Sequence, residues 1–513
     1  MRVTGQIRRS GALATVLLVL CLTFLDTTVV SVALGDIQYD LGAGVISLQW
    51  VANGYSLPFA SLMLLAGSLS DRYGRKRLMV IGIVIFCLGS VICAVAPSVG
   101  WLIAGRAVMG VGAAASEPGT LSVLRHLYTD RRERARALGF WAAASGLALA
   151  LGPVVGGVLV GLADWRAVFW FNLALGAVLL AAVVQFLPES ADPGEGRLDG
   201  GGFVFGALGL GSLIYAGISG EQYGYGTWWI VTLFVVAGLC LIAFVFIEAR
   251  VKNPSLDLRL VRKPVLGSAL FAAFAVYFGI FSIFFFTALY LDLALGYSGW
   301  RLAAVFTPMA VAIVGGSLLA GRWVARDGPR NPLIAGSVVS AAGILLTRFA
   351  VTDDVSEAFL TVALIVAGLG FGIAVVPLTA AVLGHVPAAK SGMAAGATNT
   401  ARQLGTVIGV AALGAVVNAH LAGDFGRSLS AAGVDPDAKE FILNILVTGG
   451  SDAAGFDIAH PPDLIKPLVD AALAAFRNGL HVALYISAGL ILLGALATAL
   501  VPKQALHPSA ELD

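Results

Sequence analysis

The chain is dominated by apolar runs long enough to cross a bilayer. A spanning helix needs about 20 mostly apolar residues. Such runs occur at 12–34, 50–70, 78–96, 100–123, 137–161 and 167–187, then at 203–218 and 228–247. Six more follow at 265–290, 300–323, 332–350, 357–383, 391–419 and 478–501. Fourteen spans use about 280 of the 513 residues. That accounts for the 58% apolar and 12% charged composition without a soluble domain. Disorder requires the opposite composition, and a net charge of +2 is too small for a general nucleic-acid binder. Arg8 and Arg9 precede the first run as in a signal peptide, but that run is too long and further spans follow, so it is read as a retained helix.

Lysines and arginines set the orientation. With the N-terminus inside, 23 of the 32 fall on inner segments and 7 on outer ones; Arg106 and Arg402 lie within spans. Both termini are therefore expected in the cytoplasm, which requires an even number of spans. The long connection 420–476 falls outside and reads as a cover or stalk. Cys21, Cys87, Cys93 and Cys240 sit inside apolar runs with no metal spacing and read as small apolar fillers.

The loop after the second span carries Gly67, Asp71, Arg72, Gly74 and Arg75. Shifted by 254, Gly67, Arg72 and Gly74 fall on Gly321, Arg326 and Gly328 in the loop after the tenth span. Each loop follows the second helix of a six-helix block. Repeated helical blocks around a midplane site are a transporter architecture.

On these residues the chain resembles the major facilitator superfamily, in its fourteen-span drug:proton antiporter branch. The loop from Gly67 to Arg77 matches the family's loop 2–3 signature. The segment Leu25 to Leu34, which includes Asp26, resembles the branch's first-span signature. Arg106, Gly110 and Gly112 resemble the fourth-span motif. Gly146, Gly152, Pro153, Gly156 and Gly157 resemble the fifth-span antiporter motif. Asp164, Trp165 and Arg166, with Phe169 and Asn172, resemble the entry to span 6. The resemblance covers essentially the whole chain. It implies an all-α integral membrane protein of the major facilitator fold, with 14 transmembrane helices arranged 6+2+6. The expected units are a six-helix bundle over 1–190, a two-helix insertion with linkers over 191–262, and a second six-helix bundle over 263–513. A monomer in the plasma membrane is the family expectation.

Charges inside a membrane are costly and mark functional sites by default. Asp26 lies near the middle of span 1. Low dielectric favours the protonated form of a carboxyl, so Asp26 is the candidate proton-binding group or an attractor of cations; the alternative is a structural partner of an arginine. Glu117 follows Arg106 by eleven residues, about 16 Å along a helix and within about 20° of the same face. A column of Arg106, Asp26 and Glu117 along one cavity wall is expected. The family pattern has an apolar residue where Glu117 stands, which points to a second protonation site or to cation selectivity. The approach and withdrawal of Arg106 would gate proton release by Coulomb attraction. Arg402, beside Asn399 and Gln403, has no acid partner in its own helix and reads either as structural or as part of the substrate cavity.

The resemblance gives Asp71, Arg72 and Arg75 the role of a latch between the halves; Ala325 stands where Asp71 would recur. The span 5 glycines with Pro153 form a smooth face, either a hinge or seal between halves or generic close packing. Phe271, Phe274, Phe278, Phe281 and Phe285 repeat at helical spacing on one face of span 9. With Tyr277 they line a greasy cavity for lipophilic cations, or they face lipid.

A Walker A site is absent: the stretch from Gly384 to Lys390 has Ala389 where glycine must precede the lysine. No HExxH, CxxC or GxSxG site occurs, so an enzyme is not expected. The energy source expected is the proton gradient, with no cofactor. One charge crossing 100 mV supports about forty-fold accumulation. The expected activity is export of small lipophilic or cationic compounds in exchange for protons. The rivals are a narrow-substrate metabolite or lipid exporter, and a non-transporting membrane sensor on a transporter fold. The expected partners are a small-molecule substrate, protons and the lipid bilayer.

Overall fold

The computed structural model describes residues 2–43, 45–191, 200–251, 254–295, 297, 299–352, 356–387, 390–421, 423, 427 and 466–502. Most of the 420–476 connection lies outside these residues. The helices are α1 (Arg2–Leu41), α2 (Val45–Tyr73), α3 (Arg75–Ala94), α4 (Val99–Leu127), α5 (Arg131–Leu162), α6 (Arg166–Phe186), α7 (Gly200–Tyr223) and α8 (Trp228–Glu248). After the short α9 (Leu258–Val261) come α10 (Pro264–Leu295), α11 (Gly299–Asp327), α12 (Arg330–Ala350), α13 (Glu357–Gly384), α14 (Ser391–His420) and α15 (Lys466–Leu500).

Among the described residues, twelve helices are long and apolar enough to cross a membrane. The chain is therefore a multi-pass membrane protein. The sequence reading counts α2 and α5 as spans as well, but neither is among the twelve. Asn53, Tyr55, Ser56 and Ser61 make α2 more polar; in α5 the charges from Arg131 to Arg136 occupy only the start, and its apolar stretch runs through residues whose side chains lie outside the described ones. α2 packs against α4 and α14, and α5 against α1 and α11, with Phe140, Leu147, Leu151, Val154 and Val158 exposed along α5.

Helix boundaries follow local chemistry. Asp130 caps α5 by accepting the amides of Arg132 and Glu133 at 2.9 Å each. These bonds hold its exposed carboxyl below the usual carboxylate range. Ser356 caps α13 through the Phe359 amide at 3.4 Å. Gly74 alone separates α2 from α3, at φ 108°, a region that favours glycine.

The 254-residue repeat is visible in the backbone. Gly328, the counterpart of Gly74, has φ 81°. Lys76 donates to the Val184 carbonyl at 2.6 Å, tying the start of α3 to the end of α6. Its counterpart Arg330 donates to the Ala499 and Val501 carbonyls at 2.5 and 3.3 Å, tying the start of α12 to the end of α15.

Helices α1–α6 pack on one another, as do α10–α15. Between the two sets, α2 lies on α14 and α5 on α11. The second helix of each set thus meets the fifth of the other. Helices α7 and α8 pair, and α7 also touches α2 and α14. α8 is the most apolar of the spanning helices, and most of it is not buried by protein. Val231, Leu239, Ile242 and Phe246 are exposed along it, which suits a helix facing lipid.

Candidate functional site

Three polar clusters lie in or beside the helix bundle. The first surrounds Asp26. Arg106 of α4 donates to Asp26 Oδ2 at 2.5 Å, and Asn172 of α6 donates to Oδ1 at 2.7 Å. Asp26 and Asn172 are fully buried and Arg106 is 1% exposed. Arg106 also donates through Nε to the Val51 carbonyl at 3.0 Å and sits 4.7 Å from the Tyr55 ring centroid. Tyr55 is fixed in turn by its hydroxyl, which donates to the Thr23 carbonyl at 3.1 Å. A side chain at Gly110 would collide with the Tyr55 carbonyl. That glycine lets α2 approach α4 closely enough to present Val51 and Tyr55 to Arg106.

Glu117 does not continue this cluster. Its partner is Asn399 of α14, whose amide donates to Oε1 at 3.3 Å. Arg402, one turn further along α14, donates to Asn399 Oδ1 at 3.1 Å and to Thr379 Oγ1 of α13 at 2.5 Å. The guanidinium lies 5.2 Å from the Trp141 ring of α5 and 5.4 Å from the Tyr277 ring of α10. Trp141 is held by its indole N–H on Thr120 Oγ1 at 3.1 Å. The second cluster therefore joins α4 and α5 to α10, α13 and α14. The column expected from sequence separates into an Asp26–Arg106 pair within one helix set and a Glu117–Asn399–Arg402 chain between the two. Arg402, without an acid in its own helix, meets one through Asn399.

The third cluster lies where α2 ends and α14 begins; this end of the bundle is called the latch end below. Arg75 donates to Asp71 Oδ1 through two nitrogens, at 3.1 and 2.7 Å. Asp71 also accepts the Gly392 and Met393 amides at 2.8 and 2.9 Å. Arg75 reaches Ser391 Oγ at 3.1 Å. Arg72 lies over the Tyr73 ring. Gly67 and Gly392 face each other, and a side chain on either would meet the other's carbonyl. Lys390 pairs with Asp257 at 2.7 Å, fastening the connection before α10 to the start of α14. Burial opposes ionisation of Asp257, but the Lys390 ammonium together with the Arg259 and Leu260 amides outweighs it and holds the carboxyl below its ordinary range.

The α5 glycines divide between two neighbours. A side chain at Gly146 would press on Ile313 of α11, in the opposite helix set. At Gly152 and Gly156 it would strike Thr28 and Val29 of α1, one turn beyond Asp26. Gly157 faces open space; the Pro153 side chain lies outside the described residues. The α10 phenylalanines also divide. The α10 backbone at Phe274 and Phe278 lies against Gly405 of α14, whereas the Phe271 and Phe285 side chains are exposed. The Phe281 side chain lies outside the described residues. Tyr277 is placed at the polar centre, between Arg402 and Phe371.

Comparison with known proteins fixes the family. The Major Facilitator Superfamily model matches residues 16–202 and 193–410. The chain belongs to the major facilitator superfamily. Among curated relatives it is 32% identical over 470 residues to the multidrug resistance protein Stp of Mycobacterium tuberculosis, covering 91% of this chain and 87% of that one. It is 36% identical over 453 residues to the puromycin resistance protein pur8 of Streptomyces alboniger, covering 86% and 89%. In fold it matches the superfamily's proton:xylose symporter XylE with a TM-score of 0.64 at 15% identity, over 99% of this chain and all of that one. Family and fold thus point to a membrane transporter. Within the superfamily frame, sequence reading finds Asp26, Arg106 and Glu117 but not the contacts of Asn172, Asn399 and Tyr55. A mid-helix asparagine in an apolar span is the signal that could have flagged the first two.

Proposed function

We propose that this protein is a proton-coupled antiporter that exports small lipophilic or cationic compounds, with fourteen spans arranged 6+2+6 and both termini in the cytoplasm. The resistance roles in the relatives' names support the export reading. The observation that carries the coupling is Asp26, a fully buried carboxylate with one cationic partner. A proton on Asp26 would cancel the charge that Arg106 pairs with. Arg106 would still keep the Val51 carbonyl and the Tyr55 ring, so neutralising Asp26 does not strand it. The pair can then alternate between ionised and protonated forms while the helix set stays packed.

The latch end is read as cytoplasmic, since it carries most of the lysines and arginines. With Asp71 seated on α14, that side is closed. Rocking of α1–α6 against α10–α15 would break this seat and open the cavity inward. The proton gradient drives the cycle, with no cofactor, and the chain acts as a monomer.

The test is efflux of a fluorescent lipophilic cation from cells making the wild-type chain or Asp26→Asn, with and without a protonophore. Wild-type efflux is expected to collapse with the protonophore, and Asp26→Asn to retain less than about a tenth of it. Efflux that survives both treatments overturns proton coupling through Asp26.

A further inference from the structure

We propose that Glu117 and Arg402 form a two-point site for amphoteric substrates, molecules that carry a cationic N–H group and a separate carboxylate on one apolar body. The inference rests on the transport reading above and names the class of substrate transported. Glu117 is 1% and Arg402 4% exposed. Each has one buried polar atom without a hydrogen-bond partner: Oε2 of Glu117 and Nε of Arg402. Buried polar atoms are satisfied in the great majority of cases. Two unsatisfied atoms of opposite charge thus stand at the two ends of one hydrogen-bonded chain, where a single bound molecule can meet both.

The chemistry of the pair selects that ligand. Oε2 of an ionised Glu117 only accepts, so it calls for an ammonium or amide donor. Nε of Arg402 only donates, so it calls for an anionic oxygen. Asn399 uses its amide nitrogen on Glu117 and its oxygen on Arg402, so it keeps the two charges apart while joining them. A simple cation would satisfy Glu117 and leave Nε buried and unmade. A simple anion would do the reverse. An amphoteric molecule answers both and adds no net charge to a low-dielectric centre. The Trp141 and Tyr277 rings, one from each helix set, flank the guanidinium and offer apolar walls to the body of such a molecule. Glu117 belongs to α4 and Arg402 to α14, so one bound molecule would bridge the two sets. This tells the site apart from the Asp26–Arg106 pair, which lies within one set.

A matched pair of dyes tests the proposal by equilibrium binding, which needs no gradient and no transport. Rhodamine 110 as the free acid is a zwitterion whose cationic amino groups carry N–H; its methyl ester, rhodamine 123, is a cation with the same ring system and the same N–H donors. Fluorescence anisotropy with the purified full chain in detergent, corrected for empty micelles, reads both affinities. One charge-assisted hydrogen bond corresponds to about tenfold in affinity. The free acid is therefore expected to bind wild type at least about tenfold more tightly than the ester. Arg402→Gln should bring the two within about twofold by weakening the acid alone, and Glu117→Gln should weaken both. If Arg402→Gln does not fold, Arg402→Lys keeps the charge but loses the fork of donors, and most of the preference should still vanish. Equal or tighter binding of the ester by wild type overturns the proposal, as does a preference that survives in the Arg402 variants. Failure of folded wild type to bind either dye overturns it too, while the export reading stands or falls on the efflux assay.

Discussion

Arg106 is the residue on which the first helix set turns. It holds a carboxylate, a backbone carbonyl and an aromatic face at once. Removing one partner of a buried ion pair costs about 3–5 kcal/mol, because the other charge is left uncompensated, whereas removing both is often tolerated. Arg106→Ala is therefore expected to lower the thermal unfolding temperature more than Asp26→Asn does. The double variant Asp26→Asn with Arg106→Gln should recover most of the loss and still fail to transport. Melting curves of the purified variants, set beside their efflux rates, check this. A double variant as unstable as Arg106→Ala alone would mean that the arginine supports the helices by shape, not by charge. This pair was half legible in the sequence. The cost of a charge inside a span singled out Asp26, Arg106, Glu117 and Arg402 without a structure. Which acid meets which arginine was not legible, because Glu117 and Arg402 lie on helices far apart in sequence and meet only through a neutral asparagine. Asn172 stood out only as a polar residue at the entry to span 6; being uncharged, it did not reveal Asp26 as its partner.

Helix α14 begins without a cap of its own: Lys390, at the N-cap, makes no side-chain hydrogen bond to the first turn. The free amides of Gly392 and Met393 are satisfied instead by Asp71, a side chain of α2. A carboxylate there also meets the positive end of the helix dipole. The junction between the two helix sets is thus a helix cap supplied by a different helix. Loss of a cap costs about 0.5–2 kcal/mol, so Asp71→Ala should loosen this seat without unfolding the chain. Met393 is buried at the seat and makes a suitable reporter. In a chain whose four native cysteines are replaced by alanine, Met393→Cys is expected to react slowly with a bulky maleimide, and several-fold faster when Asp71→Ala is added. Gly67→Leu should act in the same direction by wedging α2 off the Gly392 backbone. Unchanged labelling in both variants would show that the seat is held by other contacts. The loop signature made this element recognisable in the sequence, and the repeat placed its degenerate copy at Ala325. The target of Asp71 was not legible, because a cap in trans depends on which helix end the tertiary fold brings within reach.

At the scale of the whole molecule, the two sets meet through symmetric contacts, α2 on α14 and α5 on α11. The first ends in the Asp71 seat. The second closes over Gly139, where an added Cβ would stand 3.1 Å from the Ser317 carbonyl oxygen and 3.2 Å from the Gly321 Cα. A rocking motion that opens the latch end must part α5 from α11 here, since side-chain-free backbones this close leave no room for a hinge within the contact itself. Cysteines at Gly139 and Gly321 put two thiols in reach, and each single substitution asks the neighbouring backbone to give by only a few tenths of an ångström. In the cysteine-replaced background, each single variant is expected to keep at least about half of the efflux. The double variant should transport when reduced, lose most of its efflux once oxidised, and regain it with a thiol reductant. The cross-linked protein should still bind substrate from the other side of the membrane, because only the latch end is tied. If cross-linked protein in vesicles exports at the reduced rate, this interface stays shut throughout the cycle. The moving boundary would then have to lie at α2 and α14 alone, and the two-fold packing would describe how the halves are stored together, not how they part.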